Sequence, residues 1–228
     1  MSVVALVPAA GQGERLGAGV PKALVPVYGT PLLVHAVRGL LSAGLVHHVV
    51  VAAPTGHADR MRELLTGFGT AVHVVHGGRE RSDSVRIALD AAVARVADAR
   101  VVLVHDAARA FTPASVIRSV IAAVEAGANA VVPVLPVADT VKEVDAAGQV
   151  VGTLERSTLR VAQTPQGFHV DLLRRAHSLP GAASTDDAGL VERLGEPVST
   201  VPGHPHAMKI TTPIDLVIAE ALFTEVRQ

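Results

Sequence analysis

Cysteine is absent from all 228 residues. That excludes a disulfide framework and cysteine-ligated zinc. Tryptophan is absent too, and aromatics make up only 2% of a chain that is 49% hydrophobic. The core must therefore be built from Val, Ala, Leu and Ile, which suits buried parallel strands and the helices that cover them. Excess charge is also lacking: 20 Lys and Arg meet 21 Asp and Glu, for a formal net charge of −1. This argues against a broad nucleic-acid-binding face, and any anion site has to be a local cluster. No uncharged run reaches membrane-spanning length. The longest apolar candidate, residues 116–137, contains Arg118, Glu125, Asn129, Pro133 and Pro136. It reads as a helix, a turn and a strand. The opening MSVVALVPAAG lacks the charged segment and apolar stretch of a signal peptide, so a soluble cytoplasmic protein is expected. Lysine itself is scarce. Only Lys22, Lys142 and Lys209 occur among the 20 basic residues, which marks each of them for a role that lysine alone fills.

What is present is an alternation of strand-length apolar runs with segments of helical period. Candidate strands are 3–7, 47–53, 71–75, 100–104 and 129–134, with candidate helices near 31–43, 57–67, 82–96 and 113–126. Such β-α alternation predicts an α/β fold, a mainly parallel twisted sheet with helices on both faces. Ligands in these sheets sit at the carboxyl ends of the strands. The rhythm breaks after residue 136. Residues 137–168 alternate apolar and polar positions around a glycine turn at 146–148, which predicts a protruding β-hairpin arm. Helices near 170–177 and 185–194, strands at 198–202 and 208–211, and a last helix starting behind Thr212 at Pro213 complete the chain. The length suits a single domain, 1–228, carrying the arm at about 137–168.

The first strand runs into VPAAGQGERLGAGVPKAL, residues 7–24. Glycine lets backbone approach a phosphate closely, and Arg15 and Lys22 supply charge. The dinucleotide fingerprint G-x-G-x-x-G fails, because Gly11 and Gly13 are followed by Leu16 where the third glycine belongs. No acidic residue ends the second strand to take a ribose. Walker A fails as well, because Lys22 lies between Pro21 and Ala23. What survives is a long strand-to-helix loop over 8–21 that can wrap a polyphosphate.

Three further stretches directly follow strands or interrupt them. GGRERSDSV, 77–85, places Gly77 and Gly78 before a helix start, where Arg81 and Ser84 lie and Ser82 or Asp83 is the expected cap. HDAAR, 105–109, puts Asp106 at a strand end with Arg109 three positions on; mutual pairing of the two is the structural alternative. MKITTP, 208–213, holds Lys209 inside an apolar run, where burial is costly unless an anion meets it. TDDA, 185–188, has the form of a helix cap with acids in the first turn. The histidines show no metal-ligand spacing, no metal ligand is identified, and no arrangement for covalent nucleophilic catalysis is present.

Together these motifs resemble those of the sugar-phosphate nucleotidyltransferases, and within them the 2-C-methyl-D-erythritol 4-phosphate cytidylyltransferase family. The resemblance runs from about residue 3 to 222. It implies a Rossmann-like nucleotidyltransferase fold and transfer of CMP from CTP to 2-C-methyl-D-erythritol 4-phosphate, with pyrophosphate released. It assigns Arg15, Lys22, Arg156 and Lys209 to catalysis. It places Ala9, Ala10, Gly11, Gly13, Gly78, Ser84 and Asp106 around the nucleotide. Asp106, Arg109, Thr140, Thr164 and Thr185 are placed at the sugar phosphate. Mg²⁺ held mainly by the CTP phosphates and a homodimer joined through the arm are implied as well, with no membrane or nucleic-acid partner. A ribitol-5-phosphate cytidylyltransferase, another sugar-phosphate nucleotidyltransferase and a nucleotide-binding module without turnover remain open.

Overall fold

Strand β1 (Ser2–Pro8) shows how the core is built. Its Val3, Ala5 and Val7 join one buried cluster, and Val4 and Leu6 join another. Side chains alternate between faces along a strand. A strand that is apolar at every position can then only lie in a sheet covered on both sides. The structure is a computed structural model and describes residues 2–10, 19–179 and 184–226.

β1 runs parallel to β4 (His48–Ala53) and β6 (Ala99–Val104), and β4 runs parallel to β5 (Val72–His76). On the far side of β6 lies β11 (Gln166–His169), the antiparallel element of the sheet's middle. Next comes β7 (Ala130–Pro136), antiparallel to β11, and then β12 (Ser199–Pro202), parallel to β7. Helices α1 (Leu32–Ser42), α2 (Ala58–Leu65) and α4 (Ala114–Glu125) cover one face with Leu33, Val37, Leu40, Met61, Ile117 and Ile121. Helices α3 (Arg81–Arg95), α5 (Val170–His177) and α6 (Ala188–Arg193) cover the other, with Leu89, Leu173 and Leu190 among the buried side chains. A short hairpin, β2 (Pro26–Val27) and β3 (Thr30–Pro31), packs Val25, Val27 and Leu32 with Ile210 and with Ala219 of α7 (Pro213–Val226). α/β layering with a mostly parallel central sheet is therefore the observed architecture.

Three local expectations are corrected. The hairpin arm is shorter than its sequence pattern. Only β8 (Lys142–Val144) and β9 (Val150–Thr153) pair with each other. Residues 160–169 return to the main sheet instead: β10 (Arg160–Ala162) and then β11 lie along the same edge of β7. Gly167 on β11 has Val120 Cγ1 of α4 just 2.5 Å from where a Cβ would be, so this strand passes under the helix with no room for a side chain. MKIT, 208–211, is not a strand. It is extended chain held to the sheet's end by the Ile210 amide, which donates to Ala108 O at 2.9 Å. Finally, α3 is capped at Glu80, whose amide donates to the Asp83 carboxylate at 3.4 Å, and not at Ser82 or Asp83.

Candidate active site

The carboxyl ends of β1, β4, β5 and β6 converge, and the ladder continues a residue beyond them. The Ala9 amide donates to Ala52 O at 2.9 Å, Gly77 to Ala53 O at 2.7 Å, and His105 to Leu6 O at 2.9 Å. This places Ala9, Ala10, Gly77, Gly78 and Asp106 on one rim. Gly77 has no space for a side chain: a Cβ there would stand 2.8 Å from Ser84 Oγ and 3.3 Å from Ala10 Cβ. At Gly78 a Cβ would be 2.2 Å from Asp83 Cβ. Both glycines let the turn press onto α3. Ser84 is fully buried, accepting from the Gly78 amide at 3.1 Å and donating to Glu80 O at 3.0 Å. Its hydroxyl braces the glycine turn.

Asp106 is the hub of the rim. Lys209 Nζ lies 2.8 Å from Oδ2, and Arg81 Nε lies 3.4 Å from Oδ1. Burial alone would raise its pKa. The charges of Arg81 and Lys209 outweigh that and hold the carboxyl well below its ordinary range. Asp106 is thus a carboxylate at any working pH. The lysine's position in an apolar run is explained as well: the anion that meets it is Asp106. Arg109 does not pair with Asp106. Its guanidinium donates to Ala207 O at 2.7 Å and Ala162 O at 3.2 Å, and its Nε is buried without a hydrogen-bond partner. Arg109 therefore stitches the segment carrying Lys209 to β10. Gln163 does the same from the other side, exchanging two 3.0 Å hydrogen bonds with the backbone of His204.

Thr164 lies beneath the hub and is 4% exposed. Its hydroxyl oxygen accepts from the Asp106 amide at 3.0 Å and sits 3.1 Å from His105 Nδ1. The Thr164–Pro165 peptide is cis. His105 is 1% exposed, and burial lowers its pKa from 6.5 to about 4, so its imidazole is neutral.

Sequence reasoning noted Arg81 only as lying at a helix start and missed what it touches. Its Nη1 meets Asp187 Oδ2 at 2.7 Å, while His177 Nε2 donates to Asp187 Oδ1 at 3.0 Å. The TDDA stretch gave a partial signal. Asp187 is the N-cap residue of α6, but its side chain turns inward, and the first-turn Gly189 amide donates to Asp186 Oδ1 at 3.1 Å instead. Nothing in the pattern says which of two adjacent acids points to the core.

Lys22 is half-buried in a 3₁₀ turn, Lys22–Leu24. Thr140 and Arg156 are exposed beside the hairpin, and Arg156 donates to Ala138 O at 2.5 Å. Thr185 is exposed ahead of α6. Gly11, Gly13 and Arg15 lie outside the described residues.

A rim of glycine backbone, an ionised aspartate and paired cations is suited to holding a phosphorylated ligand in place. The comparisons agree with that chemistry. Residues 3–225 match the family model described as 2-C-methyl-D-erythritol 4-phosphate cytidylyltransferase. The enzyme of that name from Saccharopolyspora erythraea is 66% identical over 97% of this chain and 99% of its own. Its Rhodococcus opacus counterpart is 57% identical over 98% and 96%. The crystal structure of the Thermus thermophilus enzyme superposes with a TM-score of 0.80 at 38% identity, covering 97% of this chain and 98% of that one. With a match of this extent and identity, the chain belongs to the 2-C-methyl-D-erythritol 4-phosphate cytidylyltransferase family.

Proposed function

We propose that the rim around Asp106 carries out the family's reaction: transfer of the cytidylyl group from CTP to 2-C-methyl-D-erythritol 4-phosphate, a step of isoprenoid biosynthesis. The observation that carries this is Asp106 held between Arg81 and Lys209 at the carboxyl end of β6. A phosphate oxygen of the sugar phosphate attacks the α-phosphorus of CTP. The new P–O bond forms as the bond to the bridging oxygen breaks, and pyrophosphate leaves. The attacking phosphate is already anionic, so no general base is required. The obstacle is repulsion between two polyanions, which calls for fixed cations and positioning. Arg15 and Lys22 serve the triphosphate and the charge that develops on it. Lys209 and Arg156 align the attacking phosphate, with Thr140, Arg109, Thr164 and Thr185 on the acceptor side. Ala9, Ala10, Gly11, Gly13, Gly78 and Ser84 shape the nucleotide side.

A Mg²⁺ ion fits this donor set in one way. Among the described residues no group of three His, Asp or Glu side chains could hold a metal, and Asp106 already faces two cations. Mg²⁺ retains water and prefers phosphate oxygens with one or two carboxylates, so the triphosphate would carry most of its ligands, with Asp106 the carboxylate at hand. When bound, the ion screens phosphate charge.

The same reading makes the enzyme a cytoplasmic homodimer. Val144, Val150 and Val151 are exposed on the small β8–β9 hairpin, a large apolar load for a two-stranded element in water. A second copy covering it would bring Thr140 and Arg156 toward the neighbouring rim. No helix among the described residues is long and apolar enough to cross a membrane.

The test is direct. Purified protein with CTP, Mg²⁺ and 2-C-methyl-D-erythritol 4-phosphate should release pyrophosphate, and ribitol 5-phosphate should not replace the acceptor. Equal turnover with ribitol 5-phosphate, or none with either acceptor, would contradict the reading. Sedimentation should find two chains per particle.

A further inference from the structure

A run of paired polar side chains enters the site from the interior. His177 Nε2 donates to Asp187 Oδ1 at 3.0 Å, and Asp187 Oδ2 meets Arg81 Nη1 at 2.7 Å. Arg81 Nε then meets Asp106 Oδ1 at 3.4 Å. The side chains of His177 and Asp187 are 3% and 1% exposed, that of Arg81 29%. So the run is anchored in the core and opens only at the rim.

Asp187 is too deeply buried to touch a ligand. Yet it is held more firmly than a helix-start acid needs to be. The Gln166 side-chain oxygen on β11 accepts from the amides of Asp187 at 3.2 Å and Ala188 at 3.0 Å. The amide group of Gln166 also donates to Asp186 Oδ2 at 2.7 Å. Gln166 thus fixes the backbone of Asp187, while His177 and Arg81 flank its carboxylate. A buried carboxylate is costly unless ionic and hydrogen-bonding partners meet it. The partner that meets Asp187 from the rim side is Arg81. Arginine spans two carboxylates through Nε and Nη held in one rigid plane, whereas lysine offers a single compact charge on a flexible stem. Arg81 is also the first residue of α3, directly behind the Gly77–Gly78 turn that packs against Ala10. It therefore reaches Asp106 from the side of the nucleotide loop.

We infer that Asp187, itself oriented by His177, is a positioning residue: it sets the guanidinium of Arg81, and through it the carboxylate of Asp106, for binding of CTP. The inference rests on the proposed placement of the nucleotide along this rim. Its action is on nucleotide affinity, with the sugar-phosphate side left to Lys209 and the residues around it.

The experiment uses the full chain with Mg²⁺. CTP affinity is read by calorimetry, and kcat and both KM values by pyrophosphate release, for wild type, Asp187→Asn, Arg81→Lys and the double variant. Asp187→Asn should weaken CTP binding about tenfold, with KM for the sugar phosphate unchanged within twofold. Arg81→Lys should weaken CTP similarly, and adding Asp187→Asn to it should weaken CTP no further. A purely structural Asp187 would lower the melting temperature and leave CTP affinity and the KM ratio unmoved, which would overturn the inference. So would additive losses in the double variant. Should Asp187→Asn fail to fold, Arg81→Lys decides: CTP affinity within twofold of wild type overturns it. Because CTP affinity is measured without turnover, a wild type that binds CTP yet releases no pyrophosphate would refute the proposed function alone.

Discussion

Lys209 and Asp106 are 103 positions apart in the sequence, yet Lys209 Nζ lies 2.8 Å from Asp106 Oδ2. The contact exists because the 203–211 segment is tied down by Arg109, Gln163 and the Ile210 amide. Asp106→Asn keeps the shape and removes the charge. It should lower kcat/KM by about 10²–10³-fold, the scale of losing one preorganised electrostatic contact. Steady-state kinetics check this, and a loss under threefold would show that Lys209 and Arg81 keep their places without the carboxylate.

Lys22 opens the 3₁₀ turn Lys22–Leu24 and is proposed to serve the triphosphate. Lys22→Ala should lower kcat by about 10²–10⁴-fold with the fold intact. Near-wild-type turnover in a folded variant would remove Lys22 from catalysis.

Arg156 is exposed on the hairpin side and donates to Ala138 O. Arg156→Ala should raise KM for the sugar phosphate at least tenfold and leave CTP binding intact by calorimetry. Lost CTP affinity would place the residue on the nucleotide instead.

His105 gives a pH signature. Its folded pKa, about 4, lies below the ordinary 6.5 because burial disfavours the charged ring. The unfolded chain therefore takes up the proton first as pH falls. Stability from the neutral ring is complete above pH 6.5 and declines toward pH 4, by about 3 kcal/mol at most. Asp106 acts in the next window. Its pKa is held below the ordinary 3.8, so its contribution is present above that value and lost as pH falls further. Urea unfolding from pH 7 to 4 should show a shallower decline for His105→Asn than for wild type. Parallel curves would mean that the ring is not kept neutral by the fold.

Gly167 tests the altered course of the chain after the hairpin. A Cβ there would face Val120 Cγ1 at 2.5 Å, Val124 Cγ2 at 3.2 Å and Leu103 Cδ2 at 3.3 Å. Gly167→Ala should destabilise by about 1–3 kcal/mol through overpacking, measured by chemical denaturation. A neutral effect would contradict the passage of β11 beneath α4.

The layered α/β architecture was legible in the sequence because it depends on local pattern. β1 is apolar on both faces, as a covered parallel strand must be, and α1, α2, α4 and α5 each carry one apolar stripe. The position of Asp106 at a strand end was legible for the same reason. Two misreadings have a common cause. Alternation of apolar and polar residues describes an exposed hairpin and a strand inserted beside β7 equally well, so 160–169 could not be told from the arm. An apolar run such as MKIT reads as a strand, but a strand requires a partner's backbone over several residues, and among the described residues MKIT forms no ladder, its Ile210 amide donating to Ala108 O.

Composition and periodicity, then, determined the sheet, its covering helices and the lysines worth watching. The tertiary structure alone decided which charges meet: Lys209 with Asp106, Arg81 with both Asp106 and Asp187, and Asp187 with His177. Hydrophobic pattern acts through neighbours a few residues apart, whereas an ion pair forms only where the topology returns distant segments to the same few ångströms.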